Sequence, residues 1–172
     1  MVQAVRFAHS GPAKAGPLTK RYTIMNTEKI AKAIQSHGWL CQHVTPMPWE
    51  KGKLGFSYTI GLFEKFKQPE IMVIGYEQDL SYRFLRSCYE LVSKGQNIVP
   101  DVRTKEVLAN DYDVVFKNIR KELYPEQLGI AVNYYGHTDF PALVIFWPDK
   151  NNLFPWEAGY DDISQEQELS LV

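Results

Sequence analysis

An unbroken apolar run from Ala142 to Trp147 stands between Pro141 and Pro148. It is too short for an ordinary helix and holds β-branched and aromatic side chains, so it predicts a strand buried on both faces. A chain with such a strand must supply cover for each face. The rest of the sequence provides it in short, punctuated elements. Trp39–Val44 reads as a strand with Trp39, Cys41 and His43 on one side and Leu40, Gln42 and Val44 on the other. Phe56, Tyr58, Ile60 and Leu62 alternate with Ser57, Thr59 and Gly61, a second strand pattern, and Ile71–Tyr76 after Pro69 reads as a third.

Helical spacing appears in three places. Ile30, Ala33, Ile34 and His37 share a face in a helix capped by Asn26 or Thr27 and stopped by Gly38. Leu80, Phe84, Leu85, Cys88, Leu91 and Val92 stripe a helix from Asp79 or Ser81 to about Lys94. Pro125 opens a third, with Leu128, Ala131, Val132 and Tyr135 on its apolar face and Gly136 after it. Val107–Ala109 and Asp113–Ile119 fit a hairpin around Asn110 and Asp111. The order predicts an α+β fold: a mixed or largely antiparallel sheet, open or curled towards a barrel, with about three helices against it.

The 172 residues suit one domain. Gly-Pro steps and weak periodicity mark residues 1–22 as a flexible arm before a globular unit over 23–163, and 164–172 as an acidic tail. The ends differ in sign. Arg6, Lys14, Lys20 and Arg21 precede Glu28 with no acid among them, whereas Glu157, Asp161, Asp162, Glu166 and Glu168 follow Lys150 with no base. A net charge of −1 argues against a nucleic-acid binder. No apolar stretch reaches the ~18–20 residues of a membrane span. Cys41 and Cys88 are far apart and in no paired motif, which fits reduced thiols in a cytoplasm. A homo-oligomer stays open. There is no GxGxxG and no GxxxxGK[ST], so dinucleotide and P-loop readings lose their main support, and no cofactor is predicted.

Aromatic residues make up 13% of the chain. Such side chains, with a few polar groups at strand ends, are the usual material of a ligand pocket. The predicted pocket has Tyr58, Trp147 and Trp156 as walls and Thr59, Glu70 and Asp149 as polar contacts. Gly61 is a place where a ligand or another backbone can come close. Asp149 and Glu157 flank a turn and are candidates for a carboxylate pair. The alternatives for the polar groups are loop-amide acceptors at Glu70 and Asp149 and close helix packing at Gly61. His37, Cys41 and His43 lie within one short stretch but lack a visible fourth ligand, so no metal site is predicted. A His137–Asp139 dyad is a lesser candidate.

Five blocks occur in order: His37-Gly38-Trp39, Tyr58-Thr59-Ile60-Gly61-Leu62, Pro69-Glu70, Trp147-Pro148-Asp149 and Phe154-Pro155-Trp156-Glu157. Together they resemble the bacterial family called domain of unknown function 4262, over about Glu28 to Asp162. That resemblance implies no activity. The strand order is also similar to that of flavin-reductase split barrels, a likeness of element order alone. The leading functional expectation is a protein that binds a small ligand, with an anionic nucleotide or metabolite as the candidate class. The alternatives are a hydrolase using carboxylates and a divalent ion, and a protein-interaction module.

Overall fold

The structure, a computed structural model, describes residues 27–49, 52–108, 112–161 and 169–172. The arm at 1–22, Asn26, the proposed hairpin tip at Asn110 and Asp111 and most of the acidic tail lie outside the described residues. The strands are β1 (Leu40–Val44), β2 (Phe56–Ile60), β3 (Glu70–Ile74), β4 (Arg103–Thr104), β5 (Val114–Asn118) and β6 (Ala142–Phe146). The helices are α1 (Thr27–His37), α2 (Leu62–Phe66), α3 (Gln78–Ser93), α4 (Tyr124–Gln127) and α5 (Gly129–Tyr135).

The strands form one sheet in the order β1-β2-β3-β6-β5-β4. Neighbours run antiparallel except β3 and β6, which are parallel. The α+β expectation holds. The barrel option does not, because the order runs from edge strand β1 to edge strand β4 without closing. The likeness to split barrels loses its ground with it. As expected, β6 is buried along its whole length and sits inside the sheet.

Alternation along the strands separates two cores. Tyr58, Ile60, Met72, Val144 and Phe146 face one side, where α1, α4 and α5 supply Ile30, Ile34, Tyr124 and Ala131 and Leu128 fills the joint between α4 and α5. Ile71, Val73, Leu143, Ile145 and Phe116 face the other, where α3 lays down Leu85, Cys88 and Val92. Leu171, near the chain end, is buried in the first core, and Arg120 N donates to its carbonyl at 2.9 Å. No described helix is long and apolar enough to cross a membrane.

Five helices are described where about three were expected, for two local reasons. The third predicted helix breaks at Leu128, whose φ of −117° leaves α-geometry just before Gly129, giving α4 and α5. The second predicted strand ends early at Gly61, and α2 follows. Of the strand expected at Val107–Ala109, Val107 and Leu108 lie in a bend and Ala109 lies outside the described residues; β5 pairs with Arg103–Thr104 instead. Asp101, with φ 64°, turns the chain there and donates its N–H to Phe116 O at 2.8 Å.

Candidate functional site

The sheet sorts the predicted site residues to its two ends. Glu70 starts β3 and Ala142 starts β6 at one end; Ile74 and Phe146 finish them at the other. At ~3.3 Å per residue, the ends of β3 are roughly 13 Å apart. Thr59, Gly61 and Glu70 therefore gather at one end, and Trp147, Asp149, Trp156 and Glu157 at the other. The aromatic walls also separate by face. Tyr58 is fully buried in the first core, Trp156 packs on Phe146 and Phe154 of that core, and Trp147 packs against the second core. The structure does not bring these residues into one pocket.

The first cluster is built around a buried carboxylate. Glu70 has no exposed surface. Its Oε2 accepts from Thr59 Oγ1 at 2.6 Å. Its Oε1 accepts from Gly61 N at 2.9 Å, Phe63 N at 3.1 Å and Tyr135 Oη at 2.5 Å. Thr59 Oγ1 in turn accepts from Ile71 N at 2.9 Å, which aims its own proton at Glu70. Burial pushes the Glu70 carboxyl above its ordinary value, with the Thr59, Tyr135 and backbone donors pulling against that shift. The Tyr135 hydroxyl is pushed up by burial and by the Glu70 charge, so it remains a donor. Gly61 has φ 115°, and a Cβ there would lie 3.1 Å from Ile34 Cγ1 and 3.3 Å from Gly38 O. The space beside Gly61 is taken by α1, and every donor around Glu70 is matched. The cluster fastens α2 and α5 to the sheet.

The second cluster is a folded loop over residues 148–161. Asp149 Oδ1 accepts from Asn151 N at 2.8 Å and Leu153 N at 2.9 Å, and Oδ2 accepts from Asp161 N at 2.9 Å. Desolvation alone would raise its carboxyl, but these amides outweigh that and leave it lowered. Glu157 accepts from Phe154 N at 2.8 Å and from Arg103 Nη2 at 2.8 and 2.9 Å. The Phe154 amide and then the Arg103 guanidinium lower its carboxyl. Lys117 Nζ stands 4.2 Å from the centre of the Trp156 ring, which is 40% exposed. The two carboxylates thus serve separate backbone turns rather than one shared cation.

Asp149→Asn should therefore act on stability. An amide nitrogen in place of Oδ2 would face the Asp161 N–H, donor against donor. A lowered folded-state pKa contributes stability above the unfolded value near ~3.9, and this is lost as pH falls through the folded value. The variant is expected to melt below the parent at pH 7 and to converge with it as pH drops below about 4. Melts across that range check this; equal melting at pH 7 would contradict it.

The remaining candidates have local partners. His43 Nδ1 lies 2.7 Å from Ser57 Oγ, and Asp139 N donates to His137 Nδ1 at 3.0 Å. Burial raises the Cys41 thiol to about 11 and the Cys88 thiol to about 12, so both are protonated and unreactive. Among the described residues no three His, Cys, Asp or Glu side chains converge as metal ligands would.

An open concavity lies elsewhere. A cleft of about 420 Å³ at the carboxyl end of β3 is lined by Gly75, Tyr76, Glu77, Asp79, Leu80 and Arg83. Tyr76 packs on Trp147, with ring centres 4.7 Å apart, and on Phe84 at 5.1 Å. The parallel strands end here, and their continuations part. After β3 the chain enters α3 on the second core, whereas after β6 it carries Phe154 to the first.

Comparison with known proteins follows the same boundaries. A family model described as a domain of unknown function, DUF4262, matches residues 33–161. The chain belongs to this family. No curated protein and no solved structure matches it. The matched DUF4262 segment holds the Glu70 cluster, the 148–161 loop and the cleft, from the second half of α1 to Asp161. Sequence reasoning missed the cleft residues because Gly75 and Tyr76 looked like a strand end and Leu80 like core, whereas Leu80 is 39% exposed. The available signal was an acid and a base one helical turn apart, Asp79 and Arg83, just after a buried strand. Tyr135 and Arg103 were also missed, since their partners are distant in sequence.

Proposed function

We propose that this DUF4262 domain binds a small molecule in the cleft at the carboxyl end of β3. The observation that carries the reading is the cleft itself: about 420 Å³, lined by Tyr76 and Leu80 together with the charged Glu77, Asp79 and Arg83. Its volume lies within the range of small-ligand sites, ~300–1,000 Å³. Two carboxylates and one guanidinium in the lining speak against an anionic nucleotide and for a ligand that carries positive charge. The hydrolase alternative has less support, because Asp149 and Glu157 already accept from backbone amides and Arg103. Two free, protonated thiols support a cytoplasmic setting.

Leu80→Trp tests the reading. The position is solvent-accessible, so a larger ring fills the cleft with a stability change within about 0.5 kcal/mol, as for ordinary surface substitutions. Native mass spectrometry of the full chain after incubation with a cell metabolite extract should show a bound small molecule on the parent and none on the variant. Retention of the same molecule by Leu80→Trp would overturn the assignment.

A further inference from the structure

The two edges of the sheet are finished differently. β4 holds only Arg103 and Thr104, and its arginine is tied to Asp113 at 3.6 Å and to Glu157 at 2.8 Å. Shortness and a charge are common guards on an edge. β1 has five residues, Leu40 to Val44, with no Lys, Arg, Asp, Glu, Pro or Gly among them. The direction of its backbone groups follows from its neighbours. Gly75 N donates to Gly55 O at 2.8 Å, so Gly55 faces β3. Successive residues of a strand turn their backbone groups opposite ways. Phe56, Tyr58 and Ile60 therefore face β1, and their partners Val44, Gln42 and Leu40 face β2. Cys41 and His43 are left with their N–H and C=O groups towards the open edge. The Gln42 side chain agrees with that direction, since its Nε2 donates to His43 O at 2.7 Å. Among the described residues no backbone group answers the other three.

From this edge we infer that two copies of the chain pair through β1, antiparallel and two-fold about Gln42. In that register Cys41 lies opposite His43 of the partner subunit, and His43 opposite the partner subunit's Cys41. Opposed residues of this kind exchange both N–H···O bonds. All four outward groups of each copy are then answered, in exchange for the Gln42 amide's bond to His43 O. Leu40 falls opposite Val44 of the partner subunit, which continues the apolar stripe of the first core. A two-fold contact brings one patch against itself, so self-complementarity is the requirement it must meet. An extended segment of another protein can use the same main-chain groups. The second copy is favoured because its own edge repeats both outward residues at the matching interval and brings no carboxylate, ammonium or guanidinium to it.

The register makes a specific cross-link possible. Gln42 meets its own counterpart in a non-hydrogen-bonded pair, with Cα atoms about 4.5 Å apart, inside the ~4.4–6.8 Å span of a disulfide. Gln42→Cys in the full chain should form a disulfide dimer under mild oxidation at least about tenfold faster than Thr45→Cys, because only the first holds its thiols together. Thr45 is exposed, and the register sets it opposite Trp39 of the partner subunit rather than itself. Sedimentation of the parent should show dimer growing in between about 10 and 300 µM, as suits a contact this small. Gln42→Lys, which sets like charges face to face, should stay monomeric over that range while melting like the parent at about 5 µM. A parent that stays monomeric at about 300 µM would overturn the proposal, and an extended peptide bound there instead would assign the edge to another protein. Gln42→Cys cross-linking no faster than Thr45→Cys, or a dimer that Gln42→Lys leaves intact, would overturn it as well.

Discussion

Glu70→Ala should lower stability by about 3–5 kcal/mol, the largest loss of any single substitution considered. The change strips acceptors from the N–H groups of Gly61 and Phe63 and from the hydroxyls of Thr59 and Tyr135. A buried donor left unmatched costs about 1–3 kcal/mol, and Tyr135, half-buried, recovers part of its loss through water. Against a total of roughly 5–15 kcal/mol for a domain, that brings the protein near unfolding. Glu70→Gln separates charge from hydrogen bonding. Its carbonyl can keep the Gly61, Phe63 and Tyr135 donors, and its NH₂ can turn to Thr59 Oγ1, so the loss should fall to about 1–2 kcal/mol. The pH dependence has a definite sign. Glu70's folded-state pKa is raised, so its contribution is complete below the unfolded value near ~4.3 and declines as pH rises through the folded value. Denaturant unfolding from pH 4 upward should show that decline in the parent and its absence in Glu70→Gln. A Glu70→Ala protein as stable as the parent would refute the structural role.

Gly61→Ala comes next, at about 2–4 kcal/mol. Two costs combine. At φ 115° an L side chain is strained, a penalty of about 1–3 kcal/mol. The added Cβ also lies 3.1 and 3.2 Å from the Ile34 γ carbons and 3.3 Å from Gly38 O, and overpacking of this kind costs about 1–3 kcal/mol. Only the crowding against Ile34 can be relieved from outside. The double variant with Ile34→Ala should therefore be less destabilised than the sum of the single changes, by about 1 kcal/mol. Strict additivity would mean that the close approach of α1 does not limit this position.

Much of the fold was legible because the strands obey simple rules. The run at Ala142–Trp147 announced burial on both faces, and β6 lies inside the sheet with both faces covered. The stripe of Leu85, Cys88 and Val92 placed α3. Alternation could not mark where β2 ends, because Leu62 continues the pattern while Gly61 has already turned the chain. That turn is held by Glu70 and Tyr135, and the latter is remote in sequence. The site was legible in parts and misassembled as a whole. Glu70 and Asp149 were rightly marked as carboxylates at strand ends, but strand direction puts them at opposite ends of the sheet. Parallel pairing of β3 with β6 cannot be read from either strand alone.

The proposed ligand site is the open face beyond β3, rather than the carboxylates of Glu70 or Asp149. Amide and indole shift mapping of the labelled full chain, with and without a metabolite extract, tests it most directly. Perturbations are expected to centre on Gly75–Arg83 and the Trp147 indole, with Gly61, Phe63, Asn151 and Leu153 unmoved. Perturbations centred on Gly61 and Phe63, or on the amides held by Asp149, with a silent Gly75–Arg83 segment, would contradict it.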